Sequence, residues 1–99
     1  MLVTVMTYRA RAGEEDAIVA LHEDWQRRRR VRMRGYVSGE LLNDLRDPQS
    51  FVDIARYENE DAARASGADP EQAAWYARLA SLVEMEPVMA QYHTAWRVD

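Results

Sequence analysis

An α+β fold, one four-stranded antiparallel sheet with helices on one face, is what this 99-residue chain predicts. Three observations carry it. Runs rich in β-branched residues open the chain and recur in its middle. Two segments carry apolar residues at helical spacing. The last residues alternate as a strand does. Together they give the order βαββαβ, the split-βαβ or ferredoxin-like arrangement, with residues 1–99 as a single domain.

The first run is Leu2-Val3-Thr4-Val5-Met6-Thr7-Tyr8-Arg9, a strand by its β-branched content, ending at the turn-like Ala12-Gly13. Glu14, Glu15 and Asp16 then suit the electropositive start of a helix. Ile18, Leu21, His22 and Trp25 recur at i, i+3, i+4 and i+7, one stripe of an amphipathic helix. Arginines on its last turn face the carbonyl end of the dipole, and Gly35 is the expected stop. Residues 36–43 read as a second strand, residues 44–50 with Asp47-Pro48 as a turn, and residues 51–57 as a third strand, so the two form a hairpin. A short helical stretch over 62–66 breaks at Gly67. Asp69 caps a new helix with Pro70 at its first position. Ala73, Tyr76, Ala77, Ala80 and Val83 form its stripe, and Pro87 ends it. Residues 88–98 alternate as a long last strand.

Composition narrows the function classes. The chain is 47% hydrophobic and 30% charged, the balance of a globular domain. It holds no cysteine, which excludes disulfides, thiolate metal sites and a cysteine nucleophile. No apolar run approaches a membrane span, and the start lacks the basic head and apolar core of a signal peptide, so a cytoplasmic location and no membrane partner are expected. All 13 basic residues are arginine against 17 acidic residues, and the net charge of −4 disfavours general nucleic-acid binding. Six of those arginines, Arg27, Arg28, Arg29, Arg30, Arg32 and Arg34, form one block. It reads as a solvated helix end rather than an anion or nucleic-acid site, because it lacks interleaved aromatic rings.

Alternate side chains of a strand point to opposite faces. One set in the first three strands is aliphatic (Val3, Val5, Val37, Leu41, Val52 and Ile54) and suits packing under helices. The other, Met6, Tyr8, Tyr36, Ser38, Glu40, Leu42, Phe51, Asp53 and Tyr57, mixes rings with polar groups. Left uncovered, it would be a larger apolar patch than monomers ordinarily expose. A second copy packed against it, related by a two-fold axis, is therefore expected. Space left between sheet and helices or between two sheets would be an aromatic pocket of the kind that holds small molecules.

The chain resembles the antibiotic biosynthesis monooxygenases over essentially its whole length. The resemblance rests on Gly35-Tyr36 before a strand, Asp47-Pro48, Phe51, a strand through Tyr57, and Glu58-Asn59-Glu60-Asp61 ahead of Ala62. It implies a dimeric α+β barrel and a cofactor-independent monooxygenase acting on a small aromatic or quinone-type molecule, with the substrate supplying the reducing power. Quinone-forming members carry Asn and Trp four residues apart on the third strand, where this chain has Asp53 and Tyr57. Haem-degrading relatives use an Asn, a Trp and a His at places that fall here near Met6, Ser66 and Tyr76, so haem degradation is not expected.

Asp53 is the candidate base, with Tyr57 as a hydrogen-bond donor to a developing oxyanion. Their ordinary explanation is sheet packing and an ion pair with an arginine. His93, on the last strand, is a second candidate base that could equally point at a helix or solvent. Tyr8, Tyr36, Glu40, Phe51 and Trp96 are the candidate substrate-binding residues. His22, on the apolar stripe, reads as a partly buried structural histidine. Two histidines far apart without cysteine give no metal site. A non-catalytic small-molecule binder of the same fold is the alternative function. An anion- or nucleic-acid-binding module working through the arginine block is the third.

Overall fold

The computed structural model describes residues 1–99, the side chain of Arg30 excepted. The elements run β1 (Leu2–Arg9), α1 (Glu15–Arg28), a single 3₁₀ turn (Arg30–Arg32), β2 (Tyr36–Asp44), β3 (Asp47–Tyr57), α2 (Glu60–Ala68), α3 (Pro70–Ala80) and β4 (Val88–His93). The four strands form one antiparallel sheet in the order β2-β3-β1-β4. No helix is long and apolar enough to cross a membrane.

Local chemistry explains most boundaries. Glu15 and Asp16 fall in the first turn of α1, and Arg27 and Arg28 in its last. Gly35 takes φ +77°, and a Cβ there would stand 2.6 Å from the Ala62 Cβ, so both backbone and space require glycine. Asn59 caps α2, accepting from the Ala62 N–H at 2.9 Å, and Asp69 caps α3, accepting from the Glu71 N–H at 2.9 Å.

Four expectations about element boundaries are corrected. Gly67 lies inside α2, and the break comes at Asp69, whose extended backbone is the one Pro70 imposes on its predecessor. α3 ends at Ala80, well before Pro87, where Val83 bridges to Ala10 and closes the chain back onto β1. The hairpin turn is only Leu45 and Arg46, with Asp44 accepting from the Arg46 N–H at 2.8 Å. β3 therefore begins at Asp47, and Pro48 sits where the register with β2 is already irregular. The last strand stops at His93, leaving residues 94–99 outside the sheet.

A further correction concerns the two faces. Met6, Tyr8, Phe51 and Tyr57 are buried, and they pack beneath the helices. One cluster joins Met6, Tyr8 and Phe51 to Ile18, Leu21, Trp75, Leu79 and Val83. A second joins Leu2, Tyr57 and Ala63. The aromatic face is thus the covered one. Val5 pairs with Ile54 and Ala90, and Thr7 with Val52 and Val88, so Val3, Val5, Val52 and Ile54 of the aliphatic set lie half-buried on the opposite face, whereas Leu41, opposite Asp53, packs against the covered core. An irregularity between Tyr36 and Ser38 shifts the phase of β2. Tyr36 consequently faces the helices with Tyr57, whereas Ser38, Glu40 and Leu42 face away.

The arginine block is also more than a solvated end. Arg29 is buried. It hydrogen-bonds Gln72, lies 3.5 Å from Asp69, and sits over the Trp25 ring at 5.6 Å. Arg32 pairs with Glu71. These contacts tie the end of α1 to the start of α3. Phe51, among the largest fully buried side chains, should be a main contributor to the core. Phe51→Ala is expected to cost about 3–5 kcal/mol in urea unfolding, and a loss below about 1 kcal/mol would show that the core does not depend on it.

Candidate functional site

The layer between sheet and helices is filled at one end and hollow at the other. Ile18, Leu79, Phe51 and Val83 close the first end. At the second, a cavity of about 470 Å³ opens between α1 and the β2-β3-β1 part of the sheet, a size suited to a small organic molecule. Its walls are mostly aromatic and apolar: Trp25 and Val19 from α1, Trp75 from α3, Tyr36, Tyr57 and Met6 from the sheet. Its polar groups are few. His22 and Asp53 meet at the inner wall, Gln72 projects from α3, and Glu23, Gln26 and Arg27 stand on the exposed side of α1.

His22 and Asp53 form the only ion pair of the cavity wall that joins α1 to the sheet among the described residues. The His22 Nε2 lies 2.7 Å from Asp53 Oδ2, with both side chains more than four-fifths covered. On the other side of the ring, Nδ1 is 2.8 Å from the Ile18 carbonyl oxygen, one helical turn back. Both nitrogens meet acceptors, an arrangement that the doubly protonated ring satisfies by donating from each. Burial opposes that charge most strongly, but the Asp53 hydrogen bond, its negative charge and the Ile18 carbonyl outweigh it, and the His22 pKa is raised above its ordinary value. Trp75 meets the imidazole edge-on at 5.0 Å and is itself fixed by donating its Nε1–H to the Leu21 carbonyl at 3.2 Å.

Tyr8 stands behind this pair. Its hydroxyl is 3.2 Å from His22 Nε2, and its ring stacks on Phe51 at 5.8 Å. Burial first, and the Asp53 charge second, push its pKa far up, so it remains a neutral phenol. The second Asp53 carboxylate oxygen, Oδ1, accepts no hydrogen bond among the described residues, which leaves an acceptor at the wall of the cavity.

The remaining candidates separate by position. Tyr57 lines the cavity with its ring and donates its buried hydroxyl to Ser66 Oγ at 3.0 Å. Tyr36 lines it between Trp25 at 5.0 Å and Tyr57 at 5.6 Å. Tyr8 and Phe51 lie in the core next to it. Glu40 borders it through the edge of β2 while its carboxylate pairs with Arg56 at 3.2 Å. His93 and Trp96 do not reach it. His93 is exposed at the end of β4, and Trp96 is 81% exposed beyond it, beside a smaller hollow with Arg56 and Arg97. Sequence reasoning passed over His22, Trp75 and Gln72 as site residues. The available signal was a lone polar side chain, His22, one turn after Ile18 on an otherwise apolar stripe.

The family model for antibiotic biosynthesis monooxygenases matches residues 1–78. The chain belongs to the antibiotic biosynthesis monooxygenase family. Among curated proteins there is no match. Solved structures share the family fold at low identity. A Deinococcus radiodurans protein bearing the family name is 20% identical with a TM-score of 0.84, over 100% of this chain and 97% of its own. Rv0793 from Mycobacterium tuberculosis is 15% identical with a TM-score of 0.84, over 99% and 98%. SnoaB, a cofactor-independent oxygenase from Streptomyces nogalater, is 19% identical with a TM-score of 0.81, over 98% and 95%. In this member of the family the hollow faces α1 and carries a histidine–aspartate pair.

The pair makes stability pH-dependent. The folded pKa of His22 lies above its unfolded value of about 6.5. The stabilisation is therefore complete below about pH 6.5 and is lost as pH rises through the raised folded value. In Asp53→Asn, burial is left with little opposition, so His22 should titrate below its ordinary value. Imidazole nitrogen shifts in a pH series by NMR check this, and an unchanged His22 titration in the variant would contradict the assignment.

Proposed function

We propose that the protein is a cofactor-independent monooxygenase that oxidises a small aromatic phenol or hydroquinone-type molecule in the α1 cavity. The observation that carries this reading is the His22–Asp53 pair on the wall of an aromatic hollow, with one carboxylate oxygen unused. A phenol bound there donates its O–H to Asp53 Oδ1 and transfers the proton to it. The adjacent imidazolium stabilises the phenolate so formed. Trp25, Trp75, Tyr36 and Tyr57 hold the ring and exclude water.

The chemistry balances on substrate and dioxygen alone. The phenolate gives two electrons to dioxygen as a carbon–oxygen bond forms at the ring. The resulting hydroperoxide anion recovers the proton from Asp53. Loss of water, with the ring C–H proton, leaves a quinone carbonyl. One phenol and one dioxygen become one quinone and one water.

We also propose that two copies associate through the uncovered face of the sheet. Val5 and Ile54 lie at its centre, and Leu42, Val88 and Tyr92 around them are 42%, 66% and 58% exposed. An apolar strip of this kind on a four-stranded sheet matches a self-complementary two-fold contact. The partnership expected from the sequence is retained in this proposal, but through the aliphatic face instead of the aromatic one.

The test of the reaction is oxygen consumption with a panel of naphthols, naphthohydroquinones and anthrones, with quinone formation followed by absorbance. Asp53→Asn should lower kcat about 10²–10⁴-fold with substrate still bound. Binding of the panel without oxygen uptake by the wild type would instead identify a non-catalytic aromatic-binding protein. Association is checked by sedimentation at micromolar concentration. The wild type should run as a dimer and Ile54→Arg as a monomer, and a monomeric wild type would reject the sheet-face contact.

A further inference from the structure

We infer that Gly39 is a specificity-determining residue, because it is the absence of a side chain there that lets the Tyr36 ring lie along β2 as a wall of the cavity. The inference rests on the reading of that cavity as the seat of a small aromatic molecule. Gly39 and Tyr36 both lie on the cavity-facing side of β2, brought into phase by the irregularity between Tyr36 and Ser38. A Cβ on Gly39 would stand 2.3 Å from the Tyr36 hydroxyl oxygen, far inside contact distance, and 3.4 Å from the carbon that bears it. The phenol tip therefore occupies the space a side chain at position 39 would take. No left-handed backbone requires glycine at this place. The requirement comes from the tyrosine above it.

Tyr36 has little freedom to accommodate a change. Trp25 is 5.0 Å away on one side and Tyr57 is 5.6 Å away on the other, edge to face. A Cβ at position 39 lifts the hydroxyl off the strand, and with both flanks occupied the ring tips toward the hollow. The cavity narrows across the direction in which a planar ring would slide between α1 and the sheet. The pair Gly39 and Tyr36 thus sets how thick and how wide a ring system the site accepts.

The clash is with the hydroxyl oxygen, which gives a specific test. The probe is 1-naphthol, titrated without oxygen and followed by tryptophan emission. The wild type should bind, Gly39→Ala should bind at least tenfold more weakly, and Tyr36→Phe supplies the reference affinity for the double variant. The double variant Gly39→Ala with Tyr36→Phe should return to the affinity of Tyr36→Phe alone, because the remaining ring carbon is at ordinary contact distance. Equal affinity of Gly39→Ala and wild type would overturn the inference and leave the cavity reading standing. So would a double variant as weak as Gly39→Ala, since the obstacle would then be the Ile54 carbonyl oxygen, 3.2 Å from the same Cβ. Should Gly39→Ala fail to fold, the double variant against Tyr36→Phe decides the question alone. A wild type that does not bind naphthol would overturn the cavity reading and the inference together.

Discussion

Ring size governs the distance between the sheet and its helices. Tyr8, Phe51, Tyr57 and Trp75 stand in that layer with 2–7% of their surface exposed. Where aliphatic side chains of α1 and α3 reach down between them, as Ile18 and Leu79 do, the layer closes. Where the rings of Trp25, Tyr36 and Tyr57 meet one another at steep angles, it does not, and the hollow opens beside them. The helix layer is fixed over it by polar contacts at its rim. Arg29 and Arg32 hold α1 to the acidic start of α3, and Trp25 Nε1 donates to Gln72 at 3.2 Å. Without those ties α1 would be held over the sheet chiefly by its apolar stripe, the His22–Asp53 pair and the Trp75–Leu21 hydrogen bond.

An ion pair inside such a layer is costly unless its remaining protons and lone pairs are met. His22 meets that condition on both ring nitrogens, with Ile18 on its own helix and Asp53 on the sheet. Tyr8 sits behind the same nitrogen. Asp53 meets it only on one oxygen. The asymmetry places the unspent hydrogen-bonding capacity of the pair at the cavity wall, where a ligand hydroxyl can use it. The histidine, engaged on both nitrogens, contributes position.

The order of elements was legible in the sequence because strand runs, helical stripes, Asp69-Pro70 and Gly35 are local signals. So was the membership of Asp53, Tyr36 and Tyr57 in one wall, since their spacing places them on one side of adjacent strands. Which side the helices cover was not legible. Alternation sorts Val5 and Ile54 from Met6 and Phe51, but it does not say which set is roofed, and the aliphatic set looked the better core. The phase shift in β2 leaves no mark in residues 36–38. His22 was legible as a helix-stripe residue but not as a partner of Asp53, because that contact spans 31 positions and depends on how α1 crosses the sheet. The burial of Arg29 was hidden by Arg27 and Arg28 before it, exposed arginines of the kind a helix end ordinarily carries.

The three indoles occupy distinct surroundings: Trp75 buried at the cavity's inner wall, Trp25 half-covered at its side, and Trp96 81% exposed beyond the last strand. Intrinsic fluorescence of the unlabelled protein is therefore divided between a blue, shielded component and a red, solvated one. An aqueous quencher addresses the second, whereas a molecule lodged under the first helix addresses the first. Occupancy of the interior and events at the tail can be followed separately, in one cuvette, without adding a dye.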